Sequence, residues 1–358
     1  MSAAVSTRIQ PRADVVAMEG YHSPQVSVRV RLNTNESPYP PPAQWQEQLA
    51  DEVAIIDFHR YPDRSATALR RSIGELHGVG PEQVFVANGS NEVLQTLCLT
   101  YAGPGRTVVT FEPTYALHSH IAKISGARVV SGEREADFTL SSATLDRCIA
   151  EAAPHITFLC SPNNPTGLVE PQSIIERALE RSTGIVLVDE AYGQFAPWSA
   201  LAMIDEARPL AVARTYSKTW AMAGARLGYL IAPSWMVVEL EKVVLPYHLD
   251  AVKQAGGRLA LRFEPEMRAR VRELIAERER VVVALSALDV EVFTSGANFV
   301  LFRPRSRSAD AVWQGLVDRS VLVRNCASWP RLEGCLRVTI GTTAEDDLFI
   351  RALMETLA

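Results

Sequence analysis

A large α/β domain with a mainly parallel seven-stranded sheet between helices, joined to a small α+β domain, is the fold class that three observations predict. Seven short apolar runs fall between residues 84 and 231. Helical periodicities lie between most of them. Beyond them the pattern changes to one long charged helix and then to short alternating segments. The large domain is expected at 36–245, and the small domain at 1–35 and 246–358 with an N-terminal arm.

In order, the runs are 84–87, 107–111, 128–130, 156–160, 185–189, 211–215 and 227–231. They are continuously apolar, as strands covered on both faces are. Val93, Leu94, Leu97 and Tyr101 share one helical face after the first run. The long helix spans 267–288, with Val271, Leu274, Ile275, Val281, Val282 and Leu285 inward and Arg/Glu outward. Strands follow at 290–293, 299–302, 321–323 and 335–340. The proline-rich stretch 37–42 reads as a stiff extended connection.

At 358 residues, 47% hydrophobic and 22% charged, the composition is that of a globular protein. A formal charge of -5 offers no basic surplus for nucleic acid. No run reaches the roughly 20 apolar residues of a membrane span, and residues 1–8 lack the apolar core of a secretory signal. Five scattered cysteines, with no C-x-x-C pair, fit a reducing cytoplasm and no metal site. His118 and His120 lack neighbouring ligand types and read as polar helix or loop residues.

Lys218 is one of four lysines beside thirty-two arginines. Only lysine offers a primary amine that condenses with an aldehyde. Thr215, Ser217 and Arg226 surround it in sequence, hydroxyls and a guanidinium suited to a phosphate, and together they suggest a pyridoxal phosphate anchor. Gly89, Ser90 and Asn91 follow a strand and open a helix, which is either an anion cradle or an ordinary capped turn. Ser161-Pro162-Asn163-Asn164-Pro165-Thr166-Gly167 holds asparagines at a strand's carboxyl end, where open α/β sheets bind ligands. Asp189 ends a buried strand, with Tyr192 three residues on. A buried carboxylate needs a partner, and a protonated pyridine ring is a suitable one. Tyr115 either stacks on such a ring or fills the core. Arg324 and Arg337, in or just after strands of the small domain, are candidate clamps for a carboxylate or phosphate.

In order, N-G-S-N-E, P-T-Y, S-P-N-N-P-T-G, D-E-A-Y, S-K, R-L-G-Y and L-R-V-T-I-G-T resemble a fold-type I pyridoxal phosphate aminotransferase. Residues 32–39, 60–62, 245–249 and 323–324 are similar to the histidinol-phosphate aminotransferase subgroup. The resemblance runs from about Tyr21 to the C-terminus. It implies Lys218 as Schiff-base lysine and proton shuttle, Asp189 against the pyridinium nitrogen, Tyr192 and Asn164 on the phenolic oxygen, and Tyr115 on the ring. It implies a phosphate held by Ser90, Asn91, Thr215, Ser217 and Arg226, and by Tyr61 from the other subunit of a homodimer. Tyr21, Asn35, Asn164, Arg324 and Arg337 would meet the substrate. The reaction implied moves an amino group from L-histidinol phosphate to 2-oxoglutarate; aromatic or specialised-metabolite transamination and decarboxylation are the alternatives. Trp220, the stretch 325–331, and His22 with Ser23 depart from the subgroup pattern, near the expected substrate end.

Overall fold

The computed structural model describes residues 9–16, 18, 20 and 26–358. A short strand, β1 (Val30–Leu32), comes first and has no counterpart among the expected runs. The seven runs form β2 (Val84–Ala87), β3 (Thr107–Glu112), β4 (Arg128–Glu133), β5 (Ile156–Cys160), β6 (Ile185–Asp189), β7 (Leu210–Thr215) and β8 (Gly228–Ile231). They make one sheet in the order β2-β8-β7-β6-β5-β3-β4. Its pairs are parallel except those of β8, which runs against both β2 and β7.

Burial explains the composition of these strands. Every residue of β2, β5, β6, β7 and β8 is buried. Each such valine, leucine or isoleucine contributes about 1.5–3 kcal/mol when taken from water. The edge strand β4 carries exposed Arg128 and Glu133, charges that discourage pairing with another chain.

The second sheet has five strands, ordered β1-β11-β12-β10-β9, from β9 (Val290–Val292), β10 (Phe299–Pro304), β11 (Val321–Asn325) and β12 (Leu336–Thr339). β1 lies parallel to β11, with Leu32 opposite Val323, so the chain beyond Leu32 starts at the edge of this sheet. The long helix spans Glu264–Ser286 and buries Met267, Val271, Leu274, Val281 and Leu285. Its charges do not all face solvent. Arg278 is buried as well and donates from Nη1 to the Ala297 carbonyl at 3.0 Å. Helix Ala251–Ala260 presents the Gly256 carbonyl to Trp45 Nε1 at 2.9 Å.

Candidate active site

The antiparallel direction of β8 decides where chemistry can collect. The carboxyl ends of β2, β5, β6 and β7 lie along one edge of the large sheet, and β8 brings its amino end, Gly228, to the same edge. Cys160 is registered with Asp189, Asp189 with Ala213, and Gly228 with both Thr215 and Ala87. A cleft of about 620 Å³ opens there.

One end of the cleft is built for an anion. Helix Ser90–Tyr101 starts at Gly89, whose φ of +82° a side chain would strain. A Cβ at Gly89 would stand 2.8 Å from Arg226 Nη2, and one at Gly228 would stand 2.3 Å from the Ser90 nitrogen. Two glycines thus let the guanidinium and the helix start approach closely. Thr215 Oγ1 donates to Ser217 Oγ at 3.0 Å, and Arg226 Nη1 reaches the same hydroxyl at 3.3 Å. Free first-turn amides, two hydroxyls and a guanidinium converge on one point.

Lys218 Nζ donates to the Thr34 carbonyl at 3.1 Å and lies 5.6 Å from the Tyr192 ring centre. Burial lowers its pKa to about 7, assisted by the Arg337 charge. Near neutrality a large fraction of this amine is therefore unprotonated and nucleophilic.

Asp189 is 2% exposed. Its Oδ2 accepts from His118 Nε2 at 3.0 Å and its Oδ1 from the Ala191 amide at 3.0 Å. His118 stands on helix Leu117–Ile124, is fully buried, stacks on Phe158 and meets the Tyr115 ring edge-on. It was expected to be a polar helix or loop residue, and no local pattern marks its partner, which lies 71 residues along the chain. The next residue along the strand turns the other way. Glu190 pairs with buried Arg214 at 2.6 Å, and Ser199 and the Ala200 amide complete its hydrogen bonds.

Tyr192 accepts at its hydroxyl from Asn35 Nδ2 at 2.9 Å, and burial pushes its pKa up to about 12. The asparagine pair divides its work. Asn163 is wholly buried and ties the turn together, bonding the Pro113 carbonyl and both the Thr114 and Thr166 hydroxyls. Asn164 lines the cleft, and its Oδ1 accepts from Arg337 Nη1 at 2.5 Å. Tyr115 also lines it, donating to Asn91 Oδ1 at 3.2 Å.

Two arginines of the smaller sheet also line the cleft. Arg324 and Arg337 face each other in the β11–β12 register and are 8% and 5% exposed. Arg337 also donates to the Asn33 carbonyl at 3.1 Å, while its Nε has no protein partner among the described residues. Like charges opposite one another on antiparallel strands repel. Holding two of them at the mouth of one cleft is physically sensible for a site that receives an anion.

An anion cradle, a buried lysine of lowered pKa and a backed carboxylate on one sheet edge narrow the fold's many uses, and comparison with known proteins decides the family. The model of the family described as aminotransferase class I and II matches residues 28–353. The chain belongs to that family. A histidinol-phosphate aminotransferase of Frankia casuarinae is 43% identical over 364 residues, 97% of this chain and 90% of its own. One from Streptomyces avermitilis is 44% identical over 350 residues, 94% and 93% of the two chains. Among solved structures, histidinol-phosphate aminotransferase from Sinorhizobium meliloti, in complex with pyridoxal-5'-phosphate, superimposes with a TM-score of 0.87 at 21% identity, covering 99% of each chain.

Membership makes this aminotransferase a pyridoxal phosphate-dependent enzyme. Its residues fit the group. The cradle at Gly89, Ser90, Asn91, Thr215, Ser217 and Arg226 suits a phosphate, Lys218 suits an aldehyde, Asp189 a ring nitrogen, and Tyr115 a ring face.

Not every expected site residue enters the cleft of its own chain. Tyr61 is 80% exposed and stacks on Tyr247 with ring centres 4.4 Å apart. Tyr21, His22 and Ser23 lie outside the described residues. Trp220 is core, packed on Tyr216 and directed toward Trp45 and Met267, not toward the substrate end where it was expected to matter. Conversely Asn33, Thr34, Glu36, Cys160 and Trp329 line the cleft without having been singled out as site residues. Among the described residues no helix is long and apolar enough to cross a membrane, and no His/Cys/Asp/Glu group could hold a metal ion.

Proposed function

We propose that this aminotransferase moves the amino group of L-histidinol phosphate to 2-oxoglutarate, giving imidazole acetol phosphate and L-glutamate. The observation that carries the reading is the registered pair Arg324 and Arg337. Two buried guanidiniums match a dianionic phosphate at the donor's end, and the second substrate offers carboxylates to the same pair. The Frankia casuarinae and Streptomyces avermitilis relatives, both above 40% identical, bear the matching name.

When bound, pyridoxal phosphate supplies an aldehyde that exchanges amines and a ring that withdraws electrons from the donor carbon. The chain's own residues do the rest. Ser90, Asn91, Thr215, Ser217 and Arg226 would hold the cofactor phosphate. Asp189, oriented by His118, would pair with the protonated ring nitrogen. Tyr192 and Asn164 would bond the phenolic oxygen, and Tyr115 would stack on the ring. Lys218 Nζ, whose pKa burial lowers to about 7, would be the base that holds and moves the proton of the donor carbon. Asn35, Asn164, Arg324, Arg337 and Tyr21 orient the substrate.

A homodimer is part of this proposal, with Tyr61 reaching the neighbouring cradle. Its support is the exposure of Ile55, Phe58, Tyr61, Leu245 and Tyr247, large apolar groups that a second copy would cover, with Tyr61 and Tyr247 stacked on each other. Division into 36–245 against 1–35 with 246–358 is likewise proposed. All strands of the seven-stranded sheet fall within the first range and all strands of the five-stranded sheet outside it.

Steady-state rates with histidinol phosphate against phenylalanine test the donor. Efficient turnover of the phosphate ester is expected, and negligible turnover contradicts the proposal.

A further inference from the structure

The turn that joins β11 to β12 carries an aromatic residue into the cleft beside Arg324. Trp329 lines the cleft, and the Arg324 guanidinium carbon lies 5.2 Å from the centre of its ring. Arg337 is backed in the same way by Phe299, at 5.1 Å. Each of the two opposed guanidiniums therefore rests on its own aromatic face. Phe299 belongs to a core strand, whereas Trp329 depends on its turn.

That turn is well anchored. Cys326 N donates to the Cys335 carbonyl at 3.0 Å, extending the β11–β12 ladder by one pair. Trp329 N donates to the Cys326 carbonyl at 2.9 Å, and Leu332 N to the Trp329 carbonyl at 3.1 Å. Arg331 reaches across to the Arg134 carbonyl beyond β4, and Arg134 is itself fixed by a buried ion pair with Glu170 at 2.5 Å. The indole packs against the cluster of Phe138, Leu301, Cys326, Leu332 and Cys335. A ring fixed in this manner offers its face without losing much further entropy.

The geometry points to Trp329 as the positioning residue that holds Arg324 ready for an anion. The inference rests on the reading that the anionic end of the substrate meets Arg324. Repulsion from Arg337 favours a rotation of the Arg324 side chain away from the cleft. The indole face attracts the guanidinium from one side, a direction that does not compete with hydrogen bonding in the guanidinium plane, and indole is the strongest of the aromatic faces for this contact. The orientation is then in place before the ligand arrives, which spares the ordering cost at binding.

The test uses cofactor-loaded wild type, W329A, W329F and R324A, with inorganic phosphate as the probe of the substrate end. Phosphate affinity is measured by calorimetry, and KM and kcat with the phosphate-ester donor. In W329A, phosphate affinity is expected to fall about tenfold, the range of a desolvated cation–π contact. The donor KM should rise in parallel while kcat stays within about twofold. W329F, which restores an aromatic face, should recover most of the loss. In an R324A background the W329A change should cost nothing further. Unchanged phosphate affinity in W329A overturns the inference. So does a W329F defect as large as that of W329A, or a loss confined to kcat. If wild type refuses the phosphate ester, the substrate proposal fails, and the phosphate titration still decides the role of Trp329.

Discussion

Arg324 and Arg337 are registered partners across β11 and β12, and both guanidiniums are buried. Their mutual repulsion is a standing cost that a bound anion removes. Inorganic phosphate should therefore raise the melting temperature of the cofactor-loaded enzyme, and raise it much less in R337M or R324M. Each lost charge-assisted contact is worth about 1.5–3 kcal/mol, so the donor KM should rise about 10- to 100-fold. Thermal scans and steady-state kinetics check both statements; equal phosphate stabilisation in all three proteins contradicts them.

Lys218 has a depressed pKa, near 7, against an ordinary value of 10.5. Its charged form is disfavoured in the folded chain. The resulting penalty on folding is complete below about pH 7 and disappears as pH rises toward 10.5. Without cofactor, K218M should melt above wild type at pH 6, and the two should converge in alkali. Cofactor capture by the wild-type apoprotein should accelerate as pH rises through about 7. A K218M apoprotein no more stable than wild type at pH 6 runs against this account.

His118 and Asp189 form a buried pair at 3.0 Å. Among the described residues, an H118A variant leaves the carboxylate with the Ala191 amide as its remaining hydrogen-bond partner. Loss of a hydrogen bond to a charged group costs about 1.5–3 kcal/mol. If that orientation matters mainly during proton transfer, kcat falls about 10- to 100-fold, with cofactor affinity changed less because the phosphate cradle is intact. Rapid kinetics with a cofactor titration separates the two effects, and an unchanged kcat refutes the role.

Asp346 provides a stability test at a residue that does not line the cleft. It is wholly buried, and its Oδ1 accepts from the Gly341 amide at 3.0 Å. Burial, then the adjacent Glu277 carboxylate, push its pKa up to about 8 from 3.8. A carboxyl raised in the folded state stabilises it while protonated. That contribution is complete below about pH 3.8, shrinks as pH rises, and is gone above about pH 8. The melting temperature of wild type should fall between pH 5 and pH 8 relative to D346N, which cannot ionise. Parallel profiles for the two proteins contradict the assignment.

The strands and most cleft residues were legible because their signals are local. A fully covered strand must be continuously apolar, and a turn with a glycine at φ +84°, as at Gly167, leaves its mark in sequence. His118 was not legible. Its partner lies 71 residues away, and only the sheet order brings them together. Trp220 misled for the converse reason: adjacency to Lys218 in the chain says nothing about direction, and its ring turns into the core. Arg278 was hidden in a charged helix because the Ala297 carbonyl that receives it belongs to another element. Three-residue β1 is too short to carry a period, so its pairing with β11 had no sequence signature.

The most direct measurement is the single-turnover conversion of the cofactor-loaded enzyme from its aldehyde to its amine form across a panel of amino donors. Absorbance near the visible edge follows the conversion. L-histidinol phosphate should convert the enzyme fastest and at the lowest concentration, L-glutamate should convert it as the reverse partner, and K218A should not convert at all. Preferential conversion by phenylalanine or another uncharged-ended donor, with histidinol phosphate inert, would contradict the central claim.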